Sequence, residues 1–121
     1  MHYHMDIPDH GTYVRVIVTG NITREFAGRY SVASKALADQ HGLKRFLFDL
    51  RGARNVESTI QNYQYAYTDM PRFELDRLSR AAIIRDVDDH SHDFIELVAR
   101  NAGYNVRIFV SEDTAIAWLQ E

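Results

Sequence analysis

The chain has 121 residues, 45% of them hydrophobic and 26% charged, with a net charge of −3 and no cysteine. That is enough length for one domain to bury a core without staples, so a single domain over residues 1–121 is expected. The 14 Lys and Arg residues are spread along the chain, so no broad cationic field awaits a nucleic acid; disulfides, thiolate metal sites and thiol catalysis are excluded.

Residues 2–7 read as a short strand, and Pro8-Asp9-His10-Gly11 as the turn of a hairpin. Residues 12–19, Thr-Tyr-Val-Arg-Val-Ile-Val-Thr, are β-branched and aromatic and end at Gly20-Asn21, the pattern of a strand. Thr23 then caps a helix, with Glu25 at the positive end of its dipole. Phe26, Tyr30, Ala33 and Leu37 fall on one stripe facing the sheet, and Gly42 stops the helix.

Residues 45–50 form an apolar run without polar alternation, which predicts a central parallel strand covered on both faces. Ligands and partners meet parallel sheets at the carboxyl ends of their strands, so Asp49 to Ser58 is the first place to seek a site. A polar loop spans Arg51 to Glu57, and a helix starts near Ser58 or Thr59. Its apolar stripe is Ile60, Tyr63, Tyr67 and Met70, closed or kinked by Pro71. Tyr63 and Tyr67, four apart, share a face explained by core packing, whereas Tyr65 points elsewhere and, if exposed, suits an interface.

Residues 80–85 read as another buried strand, and Asp86 to His92 as a charged loop. Ser91 caps a helix carrying Ile95, Val98, Ala99 and Ala102 inward, stopped by Gly103. Residues 106–110 are the last strand, and Ser111 caps a final helix returning Ala115, Trp118 and Leu119 to the core. The order ββαβαβαβα describes an α/β fold with a largely parallel sheet. The amino-terminal residues carry no cationic and apolar leader, and no run of about 18 apolar residues occurs, so a cytoplasmic protein without an integral membrane segment is expected.

Two constellations admit chemistry. Asp49 and Arg51 at a strand end can hold a polar ligand or a partner's side chain, Arg51 as a two-pronged donor; they can equally satisfy the loop and each other. In Asp86-Val-Asp-Asp-His-Ser-His-Asp93, His90 and His92 with the carboxylates offer ligands for a transition metal and thus an enzyme reading. The spacing opposes it, because the pair straddles a helix start, where acidic residues are favoured without any metal. No cofactor is expected.

The element order, the opening that ends Thr-Gly-Asn-Ile-Thr, the Phe-Leu-Phe-Asp-Leu-Arg strand end, Ala-Ala-Ile-Ile and the closing Ile-Phe-Val-Ser-Glu-Asp-Thr-Ala-Ile-Ala-Trp-Leu together resemble the SpoIIAA-like branch of the STAS superfamily. The resemblance covers nearly the whole chain. It implies a mixed sheet of about four or five strands with about four helices, mainly on one face, and a non-enzymatic regulatory or protein-interaction module. It departs from the phosphorylated antagonists, whose Asp-Ser-(Ser/Thr)-Gly motif follows the central strand: here Leu50-Arg51-Gly52 follows Asp49. Ser58 and Thr59 could take a phosphate at a helix start, but the ordinary preference for Ser and Thr there favours capping.

The resemblance also implies that Tyr65, Met70 and Phe73 line a groove or a homodimer contact. The expected surface for a protein partner or a second copy therefore comprises Asp49, Arg51, Ser58, Thr59, Tyr65, Met70 and Phe73. The alternative, by likeness to CRAL-TRIO lipid-transfer domains, is a small carrier or sensor of an apolar, lipid-like ligand; a metal-dependent enzyme using His90 and His92 stands third.

Overall fold

A computed structural model of the chain describes residues 1–9 and 11–121. Of the predicted hairpin turn, His10 lies outside the described residues. Strand β1 (His2–Asp6) pairs antiparallel with β2 (Val14–Ile22). Helix α1 (Arg24–His41) follows, with the Thr23 hydroxyl accepting from the Phe26 amide and Gly42 ending it at φ 65°. Only glycine takes that left-handed cap without strain.

Strand β3 (Arg45–Asp49) lies between β2 and β5 (Arg80–Ile84), parallel to both, and β6 (Asn105–Phe109) completes the order β1-β2-β3-β5-β6. The central strand is therefore where the unbroken apolar run placed it. A mixed, mostly parallel sheet with helices on both faces is the predicted α/β architecture.

The loop expected from Arg51 to Glu57 contains a further strand, β4 (Ala53–Asn55). After Ile17 pairs with Asp49 the chain swings out through Leu50–Gly52 and rejoins β2, with Gly20 opposite Ala53. Three residues without apolar alternation give no local strand signal; this strand exists because the end of β2 offers it free backbone groups.

Beyond it the helical segment is α2 (Thr59–Gln64), a π-helical turn over Tyr65–Asp69 and α3 (Met70–Arg72). The wide turn closes with the Met70 amide on the Tyr65 carbonyl. It immediately precedes Pro71, which has no N–H and whose ring would strike the Tyr67 carbonyl in an ordinary helix; widening the turn absorbs both faults. Helix α4 (Asp93–Asn101) starts from His92, not Ser91. Instead of capping, the Ser91 hydroxyl accepts from the Asn55 amide of β4 at 3.0 Å. Ser111 caps α5 (Glu112–Leu119) as expected.

Two cores flank the sheet. On one face Val14, Val16, Val18, Phe26, Tyr30, Ile83 and Val106 pack with the layer of α1, α2–α3 and α4. On the other, α5 alone sets Ala115, Trp118 and Leu119 on Leu47, Ala82 and Ile84. The pleat sorts β3 accordingly: Leu47 faces α5 and is sealed, while Phe46 and Phe48 face the larger layer and stay partly accessible. Leu47→Ala should therefore cost about 3 kcal/mol in urea unfolding, the range for a packed core leucine that the site cannot collapse around.

Candidate functional site

Phe46 and Phe48 remain accessible because the helical layer does not close on the sheet. Between them lies a cavity of about 690 Å³. Its floor is Phe46, Phe48, Ala81, Ile83 and Val106 from the strands; its walls are Tyr30, Ser31 and Ser34 of α1, Tyr65 and Met70 of the π turn and α3, and Ile95 and Ala99 of α4. The residues that α1 turns to the cavity include Ala27, Ser31 and Ser34, too small to fill the gap. Small Ala81 beneath them deepens it. A mostly apolar hollow with a few hydroxyls is the character of a small-molecule site, and its size lies within the usual range of about 300–1,000 Å³.

Directed polar contacts hold the layer in place. Arg24 donates to both oxygens of Asp69, at 2.6 and 2.8 Å, and also to Gln61 and Gln64. Asp69 is buried, and the Arg24 guanidinium holds its carboxyl below the usual carboxylate range against the opposing effect of burial. Asn62, also buried, bonds Asn55 of β4 and the carbonyls of Glu57 and Ser58. The Tyr65 hydroxyl pairs with the Ser31 hydroxyl at 2.7 Å and donates to the Ala27 carbonyl. Burial raises the Tyr65 phenol well above its ordinary value, the Ser31 bond opposing.

These contacts reverse the reading of the helix. Tyr63 and Tyr67 do share a face and stack at 4.6 Å, but that face points outward with Ile60, whereas Tyr65 and Met70 are buried and line the cavity. The inward face carries Asn62 and Asp69, whose partners come from other elements, so a stripe chosen for hydrophobicity selects the wrong side. Tyr65 and Met70 thus line an inner hollow and are not exposed on the outer surface. Phe73 is half-buried against Gly28 of α1 and Tyr65.

The remaining expected residues lie apart. Asp49 follows Leu47 onto the α5 side of the sheet, where its carboxylate takes both prongs of Arg51 at 2.9 and 2.7 Å, and Arg51 also reaches Glu112. Burial alone would raise the Asp49 pKa, yet the Arg51 side chain and amide together hold it below the usual range. The Gly52 amide donates to Asp86. Asp49 and Arg51 therefore satisfy each other, across the sheet from Tyr65, Met70 and Phe73. Ser58 accepts from the Gln61 amide as the cap of α2, and Thr59 is exposed beside it.

The two histidines of the acidic loop part company. His90 is exposed and pairs with Asp93, while His92 is sealed at the cavity wall, with its Nε2 3.1 Å from the Ala53 carbonyl and 3.3 Å from Asp89. Among the described residues no group of three or more His, Asp or Glu is arranged to hold a metal ion. Nor is any described helix long and apolar enough to cross a membrane.

A largely parallel sheet with three helical elements over one face and one carboxyl-terminal helix over the other is consistent with the anti-sigma-factor-antagonist-like fold of the STAS superfamily. The chain belongs to the SpoIIAA-like family, whose sequence profile matches residues 13–120. Among the curated proteins compared, none matches it. Membership points to a STAS-type regulatory or interaction module, a class that is generally non-enzymatic.

Because the folded Asp69 carboxyl titrates below its unfolded value of about 3.9, the stability it contributes is present above that pH and lost as pH falls through the lower, folded value. Asp69→Asn should cost about 2 kcal/mol at pH 7, the scale of a charge-assisted bond. The difference from wild type should shrink as urea unfolding is repeated at successively lower pH below about 3.9, and vanish only once the folded carboxyl is itself protonated.

Proposed function

We propose that the chain is a single-domain, non-enzymatic sensor or carrier of an apolar small molecule, held between the helical layer and the sheet. The observation that supports this most directly is the cavity itself. A half-open hollow of that size leaves apolar surface of the sheet and helices uncovered that a purely structural domain would pack. Burial of an apolar ligand against Phe46, Phe48, Ile83 and Ile95 would cover it. Native mass spectrometry of freshly purified protein should show a copurifying small molecule, or thermal unfolding should shift upward on adding apolar compounds. Ala81→Phe, which places a ring on the cavity floor, should abolish both effects while keeping or raising the unliganded melting temperature; neither effect in wild type would refute the carrier reading.

A second reading, of a partner-docking module, is favoured by the outward face of α2. Val56, Ile60, Tyr63 and Tyr67 are large apolar residues exposed within about three helical turns, more than isolated surface hydrophobics explain. This face replaces the one expected around Tyr65, and its partner is another protein or a second copy of the chain. The double variant Ile60→Glu, Tyr67→Glu should abolish self-association in sedimentation, or capture of a specific partner, with stability changed by less than about 0.5 kcal/mol. Unchanged association would remove this surface from consideration.

A further inference from the structure

Tyr30 is deeply buried, packed edge-on to Phe26 and against Phe48, and lines the cavity. Among the described residues its hydroxyl has no hydrogen-bond partner, unlike that of Tyr65, which is satisfied by Ser31 and Ala27. Tyr104, in the same lining, also carries a buried hydroxyl without a partner. Burial raises both phenols, with Tyr65 adding to the rise at Tyr30 and Arg77 opposing it at Tyr104, so both stay protonated and available as neutral donors. The Tyr104 hydroxyl is sealed without a partner, whereas the Tyr30 phenol lines the hollow with its donor unused, and a ligand's oxygen would complete that bond.

The cations around the cavity point to the same ligand chemistry. Arg24 is engaged by Asp69, Lys35 by Asp39 and Lys44 by Asp76. Arg77 lies 4.4 Å from the centroid of the Tyr104 ring and donates to the Ala102 carbonyl. Arg77 is thus the one lining Arg or Lys without a carboxylate partner among the described residues, held over the Tyr104 ring and by the Ala102 carbonyl; a carboxylate received at Tyr30 instead, without a counter-charge, would forfeit its hydration.

We infer that the ligand is an uncharged amphiphile, an apolar body bearing a hydroxyl or carbonyl oxygen, and that Tyr30 is the residue that receives this oxygen. This rests on the carrier reading above and adds the polarity of the ligand to it. An alcohol can accept from the phenol and bury its chain over Phe46 and Phe48; a fatty acid meets the same apolar surface but must leave its charge unpaired or bind protonated.

The test uses the full chain at pH 8 with N-phenyl-1-naphthylamine as a neutral fluorescent probe, displaced by dodecanol or by dodecanoate. Dodecanol should displace the probe at least about tenfold more effectively. Tyr30→Phe should weaken dodecanol by about three- to tenfold, the loss of one hydrogen bond, beyond any change in probe affinity, with the unliganded unfolding temperature equal or higher. Displacement by dodecanoate equal to or stronger than by dodecanol, or dodecanol binding indifferent to Tyr30→Phe, would overturn the inference while leaving the carrier reading intact. Absence of any probe signal abolished by Ala81→Phe would overturn both.

Discussion

The bidentate contact between Arg24 and Asp69 sets the position of everything above the sheet. Arg24 sits on the first turn of α1, and Asp69 on the wide turn that Pro71 imposes. A carboxylate so placed must face its guanidinium, and the helix rolls until it does. Asn62 turns toward β4 on the same face, Tyr65 is carried inward to Ser31, and Ile60, Tyr63 and Tyr67 are left outside. Burying the aromatics instead would strand two polar side chains and an arginine, at several kcal/mol for the charges alone. The hollow over Phe46 and Phe48 is a consequence: the helical segment is suspended from α1 by directed bonds and does not settle onto the strands.

The parts that were legible in the sequence are those whose cause is local. Thr23 and Ser111 cap helices by hydroxyls three residues from the amides they accept, Gly42 takes a left-handed conformation, and the apolar run at 45–50 needs two covered faces. What could not be read locally depends on distant partners. Strand β4 has no pattern of its own, Ser91 serves Asn55 where it was expected to cap α4, and the inward face of α2 is polar because Arg24 and Asn55 lie opposite it.

One signal was present and unused. Side chains alternate along a strand, so Asp49 had to point with Leu47, away from Phe46 and Phe48; the carboxylate and the aromatic helix never belonged to one surface. The cavity left a fainter trace in Ala27, Ser31 and Ser34, which α1 turns toward it. An apolar stripe would have filled the interior, whereas small and hydroxylic side chains there leave both space and donors.

The two faces of the sheet thus carry different burdens. Under α5, Trp118 and Leu119 seal Leu47, Ala82 and Ile84 by apolar contact, while Arg45 and Arg80 tie to the carbonyls at the end of that helix. Apolar contact of this kind is undirected and tolerates small shifts. On the opposite face the layer is held by a few short, oriented bonds from α1 to the π turn, and these either form or fail as units. The α2–α3 segment is the part held chiefly by such bonds, whereas α1 and α4 also pack Phe26, Tyr30, Val98 and Ala99 into the larger core.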